Sequence, residues 1–167
     1  MVVRDTKMRR SRLVGDLESN GLYLEATTIW CGVFKDIDTQ DKFIFPPDKV
    51  YLIPRLLEKC DELIMHNGMG FDRLLMMKIL GYEFPLEKLT DTLILSRLLN
   101  PDRKSPPGWK GKPAPHSVDA WGMRLGRAKP VHEDWSQYSP EMLHRCDEDV
   151  EIQTMIYYEL LKEMGDV

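Results

Sequence analysis

Long hydrophobic runs, numerous cysteines and a surplus of basic charge are all missing from this sequence of 167 residues. No apolar run approaches the roughly 20 residues of a membrane-spanning helix, and the basic N-terminus is not followed by the apolar stretch of a signal peptide. The three cysteines, Cys31, Cys60 and Cys146, are odd in number and scattered, which excludes a disulfide framework and zinc-site spacing. They indicate reduced thiols, so we expect a cytoplasmic protein.

A large excess of charge of one sign is also absent, because 27 acidic residues and 23 Lys and Arg leave a net charge of −4. A protein with this balance is not a general binder of polyanions. Contact with nucleic acid would therefore depend on a local basic patch or on bound metal ions. No internal repeat is present, and the length predicts a single domain with a sizeable core.

Hydrophobic periodicity and turn chemistry predict an α/β protein. Three β-rich runs predict an antiparallel meander, at residues 12–18, 27–34 and 41–45. A strand, a helix and a short strand then predict a parallel, right-handed crossover, at 62–67, 71–80 and 88–90. Further helices are predicted at 49–60, 91–99, 117–125 and 139–164.

Two segments do not fit these elements. Residues 1–11 have little periodicity and predict a mobile basic arm ahead of one domain at 12–167. Residues 100–115 hold five prolines, two glycines and four basic residues, a composition that predicts a long loop.

The first predicted strand ends in two carboxylates, Asp16 and Glu18, separated by one residue. Residues i and i+2 of a strand point to the same face, so these like charges would be costly together unless a cation lies between them. Clusters of carboxylate oxygens suit Mg²⁺ or Mn²⁺. A solvated strand end is the alternative explanation.

Three later residues bear on this pair. Asp72 begins a predicted helix directly after a strand, at the sheet edge where ligands of open α/β sheets gather, although the helix dipole alone also favours an acid there. Asp149 lies in the last predicted helix, where acids are usually solvated. His144 on the same helix can equally be an ordinary surface or core histidine.

Together these residues resemble the three exonuclease motifs of the DnaQ-like DEDD superfamily, 3′→5′ exonucleases with a ribonuclease-H-like fold. The motifs are Asp16-Leu17-Glu18, the segment 67–72, and His144 followed by Asp149. Segments 91–99 and 116–126 further resemble the proofreading domain of short-tailed bacteriophage family A DNA polymerases. The resemblance covers about residues 12–164 and implies a mixed sheet, with an antiparallel meander of three strands and then parallel strands, flanked by helices.

The sequence departs from the phage pattern at one position. Those domains carry a tyrosine four residues before the last aspartate, where this chain has Arg145. The histidine branch of the superfamily places its general base five residues before the last aspartate. The resemblance therefore implies that His144 is the base. Residues five apart on a helix are about 140° apart. We therefore expect a break or kink near 145–147, without which His144 would be a bystander and the enzyme slow or inactive.

The resemblance implies a catalytic site with two divalent cations, Mg²⁺ or Mn²⁺, about 3.5–4 Å apart around the scissile phosphate. Asp16 would bridge both ions, Glu18 and Asp149 would complete one shell, and Asp72 would anchor the other through water. Neutral His144 would accept a proton from the attacking water. The terminal nucleotide would be contacted by Leu17, Leu22, Asn67 and Phe71, residues that core or loop packing explains equally well.

The 100–115 loop carries Arg103, Lys104, Lys110 and Lys112 around Trp109. Basic side chains with a stacking aromatic grip single strands without sequence preference, so we expect Trp109 to bind substrate; a connector without a role is the alternative. The expected substrate is the 3′ end of single-stranded DNA, with short RNA as a rival. A separately encoded DNA polymerase is an expected partner, and a phage protein would act in the host cytoplasm.

A second rival belongs to another class of protein. A non-catalytic, nucleic-acid-binding subunit of a replication complex could keep the fold, although retention of all four carboxylates argues against it.

Overall fold

A single five-stranded sheet forms the centre of the computed structural model, which describes residues 10–165. Its strands are β1 (Arg12–Ser19), β2 (Ile29–Asp36), β3 (Lys42–Phe45), β4 (Glu62–Met65) and β5 (Leu89–Asp91). Their order is β3-β2-β1-β4-β5; β1, β2 and β3 pair antiparallel, whereas β4 pairs parallel with β1 and with β5. The predicted mixed sheet, a meander followed by parallel strands, is confirmed.

Helices cover both faces of the sheet. They are α1 (Ile53–Leu57), α2 (Asp72–Leu75), α3 (Thr92–Leu99), α4 (Val118–Arg124) and α5 (Pro140–Met164). A 3₁₀ turn at Val50–Leu52 precedes α1, a π-helix at Met76–Leu80 continues α2, and a second 3₁₀ turn at Leu86–Lys88 precedes β5. Helix α5 begins as predicted, because Ser139 accepts a hydrogen bond from the Met142 amide and Pro140 occupies the first turn.

Alternation along β1 decides which side chains reach the site. Leu13 and Leu17 face the core that α1 and α2 cover, whereas Val14 faces the core beneath α5. Because successive strand side chains point to opposite faces, Asp16 and Glu18 lie on the α5 side. Gly15 lets β1 approach β2 closely, since a Cβ there would lie 2.5 Å from the Phe34 ring.

The turn after β4 is held by one buried carboxylate, that of Asp91. Its oxygens accept hydrogen bonds from the amides of Asn67 and Met69, and as the N-cap of α3 it also accepts from Leu93 and Ile94. Asn67 takes a left-handed conformation, with φ of 64°, which asparagine tolerates better than most residues. Asp91 therefore fixes the turn that leads into Asp72.

The 100–115 loop lies between α3 and α4 and contains no strand or helix. Arg103 forms two hydrogen bonds with Glu163 and stacks 4.4 Å from the Trp121 ring centroid, while Arg124 donates to the Lys104 carbonyl. Arg103 is thus engaged within the protein and is not free to follow a phosphate backbone. Most of the predicted basic arm lies outside the described residues.

Among the residues that the structure describes, no helix is long and apolar enough to cross a membrane.

Candidate metal centre

The structure brings the four predicted carboxylates together beside the C-terminal half of β1. Asp16 and Glu18 come from β1, Asp72 is the first residue of α2, and Asp149 projects from α5. One Asp72 oxygen accepts a hydrogen bond from the Leu17 amide at 3.2 Å, which joins α2 to β1. All four carboxylates come from regular elements, so the site has a rigid frame.

Neighbouring side chains orient two of these carboxylates. The Gln153 amide nitrogen donates to Asp16 Oδ1 at 2.8 Å, and the Gln153 oxygen accepts from the His66 amide at 2.9 Å. Lys129 Nζ lies 2.8 Å from Asp149 Oδ2 and 3.6 Å from Asp119. Gln153 therefore links β1 to the end of β4, and Lys129 partly neutralises Asp149.

Burial and mutual repulsion raise the pKa of each carboxyl group. Burial, with the charge of Asp149, raises the pKa of Asp16 to about 7. Burial, with the charges of Asp16 and Asp149, raises the pKa of Glu18 to about 10. Burial raises the pKa of Asp72 well above its ordinary value, and it raises the pKa of Asp149 despite Lys129. When all four groups are ionised, the cluster therefore carries more negative charge than the surrounding protein compensates.

Two buried oxygens of the cluster, Glu18 Oε1 and Asp149 Oδ1, have no hydrogen-bond partner within residues 10–165. Asp16, Glu18 and Cys146 offer donor atoms within 4.8 Å of one another. Burial raises the pKa of Cys146 well above its ordinary value, and its neutral thiol donates to the Asp16 carbonyl. The remaining ligands are hard carboxylate oxygens, which fit Mg²⁺ or Mn²⁺.

The expected break in the last helix is wrong. Helix α5 runs from Pro140 to Met164 without interruption, and His144 is exposed to solvent. Arg145, one turn before Asp149, instead faces the cluster, with Nε 3.9 Å from Glu18 Oε1. The predicted base His144 therefore has no route to the carboxylates in this helix geometry.

The predicted substrate residues separate into different places. Leu17 is 3% exposed and packs in the core, and its backbone amide links it to Asp72. Leu22 is 75% exposed, Asn67 is exposed, and Phe71 is half-buried. Trp109 is half-buried, and its indole donates to the Lys112 carbonyl.

Three open cavities are lined by Glu18 or by residues that contact the cluster. The Trp135 cavity, about 440 Å³, is lined by residues 18–22, Phe71 and Trp135. The Arg145 cavity, about 550 Å³, is lined by residues 126–132, Asp119, Met123 and Arg145. The Asn67 cavity, about 510 Å³, is lined by residues 113–119, His66, Asn67, Leu93, Arg97 and Lys129. Glu18 lines the first of these cavities, and Lys129, the partner of Asp149, lines the other two.

Sequence reasoning missed Gln153, Lys129 and Trp135. Gln153 follows Asp149 by four residues, and that spacing places both on one helix face, so it could have been found. Lys129 and Trp135 lie in the irregular segment before α5, where no periodicity marks which side chains turn inward.

Comparison with known proteins gives relatives in sequence. No protein-family model matches the chain. The DNA-directed DNA polymerases of Escherichia phage T7 and Enterobacteria phage T3 are each 26% identical to it over 189 residues, covering 90% of this chain. The chain spans only 27% of the length of each polymerase.

Solved structures give relatives in fold. NrnC of Brucella melitensis with bound Mg²⁺ has a TM-score of 0.65 and 17% identity, covering 95% of this chain and 77% of NrnC. E. coli Exonuclease I in complex with a dT13 oligonucleotide has a TM-score of 0.59 and 12% identity, covering 94% of this chain and 42% of that one. The chain therefore has the ribonuclease-H-like fold that its motifs predicted.

Proposed function

We propose that this chain is a divalent-metal-dependent 3′→5′ exonuclease that hydrolyses single-stranded DNA ends to nucleoside 5′-monophosphates. The observation that carries the proposal is the group of four carboxylates. Their raised pKa values and the two oxygens without a hydrogen-bond partner indicate a site for cations. The Mg²⁺ in NrnC, the oligonucleotide on Exonuclease I and the similarity to two phage polymerases support it.

The metal site would be formed by Asp16, Glu18, Asp72 and Asp149. Two bound ions would supply an activated water and neutralise charge on the scissile phosphate. Gln153 holds Asp16 in place, and the Leu17 amide holds Asp72. Such contacts keep ligands in position before substrate arrives, which is what a preorganised site requires.

The Trp135 cavity adjoins Glu18 and suits the terminal nucleotide. Its volume of about 440 Å³ falls within the range of small-molecule sites, about 300–1,000 Å³. Phe71 and Trp135 offer aromatic surfaces on which any base can stack, and Leu22 offers exposed apolar surface at the same cavity. This arrangement favours a substrate chosen by its free end and not by its sequence.

A non-catalytic nucleic-acid-binding subunit is the second candidate. The observation that favours it is the position of His144, which is exposed on an unbroken helix. Binding of single-stranded DNA by a chain that cleaves nothing in Mg²⁺ or Mn²⁺ would establish this second function.

A digest of end-labelled oligonucleotides tests the proposal. We expect single-stranded DNA labelled at its 5′ end to shorten progressively in Mg²⁺ or Mn²⁺, to release nucleoside 5′-monophosphates, and to stay intact in EDTA. An RNA of the same sequence, digested in parallel, decides which sugar is preferred. Cleavage that persists in EDTA, or internal cuts without a ladder, would contradict the proposal.

The setting follows from the phage relatives. Because the relatives in sequence are phage DNA polymerases, we propose that the chain acts with a DNA polymerase in the cytoplasm of the host. Association would be detected by co-purification of the two chains.

A further inference from the structure

Arg145 lines the Arg145 cavity and is held there by several contacts. Its Nη1 donates to the Pro130 carbonyl at 2.8 Å, and its guanidinium carbon lies 5.3 Å from the centroid of the Trp135 ring. Its Nε lies 3.9 Å from Glu18 Oε1. These contacts leave the side chain only 18% exposed and place its charge beside the carboxylate cluster.

This guanidinium has an unused hydrogen-bond donor. A separation of 3.9 Å is too long for a hydrogen bond, and within residues 10–165 neither Nε of Arg145 nor Oε1 of Glu18 has a hydrogen-bond partner. Buried charged groups without partners are costly. The planar fork of arginine matches the oxygens of a phosphate group, which would supply the missing acceptor.

Arginine cannot serve as a general base, because its guanidinium stays protonated in proteins and has no acceptor atom. We propose that Arg145 is a catalytic residue of the proposed exonuclease, and that its guanidinium donates to a non-bridging oxygen of the scissile phosphate. There it stabilises the charge that grows in the transition state. This inference rests on the proposed function, because it needs a phosphodiester at the cluster.

The reaction then proceeds without a side-chain base. A water oxygen bonds to phosphorus, the bond from phosphorus to the 3′-oxygen of the preceding nucleotide breaks, and its electron pair stays on that oxygen. The water loses its proton to bulk solvent, and the leaving oxygen takes a proton from solvent. Arg145 keeps all of its protons throughout.

The test compares Arg145→Ala, Arg145→Lys and Arg145→Met with the control Arg12→Ala. Arg12 is also paired with a carboxylate, that of Asp38, at the opposite end of β1. The rate of the chemical step at saturating single-stranded DNA should fall about 10²–10³-fold for Arg145→Ala, the usual effect of losing one transition-state donor. Arg145→Lys should recover part of this loss, and Arg145→Met, which keeps the apolar stem over Trp135, should recover none.

Two further readouts separate this role from a structural one. Guanidinium ion below unfolding concentrations should raise the rate of Arg145→Ala and leave that of Arg12→Ala unchanged. In EDTA, where no cleavage occurs, Arg145→Met should weaken single-stranded DNA binding and lower its salt slope by about 0.7, the share of one phosphate contact. Thermal unfolding confirms that each variant is folded.

The possible failures are distinct. Active wild-type protein with an Arg145→Met rate within about two-fold of it, or a rate for Arg145→Ala that guanidinium leaves unchanged, would overturn the inference and leave the proposed function standing. Absence of cleavage by the wild type would overturn both.

Discussion

At the scale of single residues, Lys129 provides the counter-charge of the metal-free cluster. Its ammonium group lies 2.8 Å from Asp149, and the two side chains are only 16% and 6% exposed. Removing one partner of a buried pair leaves the other charge uncompensated, which is strongly destabilising. A divalent ion on Asp149 would supply that compensation itself.

Lys129→Met should therefore lower the unfolding free energy in EDTA by about 3–5 kcal/mol. Saturating Mg²⁺ should reduce this deficit, because an ion that binds only the folded state stabilises it. Urea unfolding with and without Mg²⁺ measures both values. The control is Lys162→Met, an exposed lysine paired with Glu159, which should change stability by no more than about 0.5 kcal/mol. An equal deficit with and without Mg²⁺ would contradict this assignment.

Asp16 makes the stability of the metal-free protein depend on pH. Its pKa rises from 3.8 to about 7 on folding. Between these values the folded state keeps a proton that the unfolded state releases. The contribution of Asp16 to the unfolding free energy therefore falls as pH rises through that window.

Asp16→Asn removes this titration and keeps an oxygen that can accept from Gln153. In EDTA, its stability relative to the wild type should rise by more than about 1.4 kcal/mol, the free energy of one pKa unit, between about pH 4 and pH 8. Urea unfolding across this range measures the difference. A constant difference between variant and wild type would show that Asp16 does not carry the shifted pKa.

At the scale of elements, the continuity of α5 decides which side chain faces the carboxylate cluster. The capping residues Ser139 and Pro140 let the sequence predict where this helix begins, and the structure agrees. The expected break depended on the spacing of His144 and Asp149 alone. No proline or glycine lies between them to interrupt the backbone bonds, so the helix stays regular and Arg145 takes the inward position.

His144→Ala should therefore change the cleavage rate by less than about two-fold, since the side chain is exposed. A general base in the same place would cost about 10²–10⁴ in rate. Single-turnover cleavage of labelled single-stranded DNA distinguishes the two. A loss of the larger size would mean that α5 opens when substrate binds.

The turn between β4 and α2 depends on Asp91, which lies at the end of β5. Asp91→Ala should lower the unfolding free energy by about 3 kcal/mol, because the helix cap and the amides of Asn67 and Met69 all lose their acceptor. Ser117→Ala is the matched control: this N-cap accepts from Ala120 and donates to the Ala114 carbonyl, and its loss should cost about 1 kcal/mol. Equal losses in urea unfolding would contradict the role given to Asp91.

At the scale of the whole molecule, a net charge of −4 is reconciled with a polyanionic substrate by local positive groups. Arg97, Lys129 and Arg145 line the cavities around the cluster. The sequence predicted the carboxylates because strand alternation and helix starts fix where Asp16, Glu18 and Asp72 point. It could not predict Lys129 or Trp135, because an irregular segment is placed by tertiary packing and not by a local pattern.

The most direct test of the proposed function counts metal ions and follows cleavage together. Mn²⁺ titrated into the wild-type protein, with free ion measured by electron paramagnetic resonance, should bind at two sites, and single-stranded DNA should shorten from its 3′ end as they fill. Asp16→Asn should lose Mn²⁺ affinity and cleavage together while it stays folded. Near-wild-type cleavage by Asp16→Asn, or cleavage by the wild type without bound metal, would contradict the assignment of this cluster as the active site.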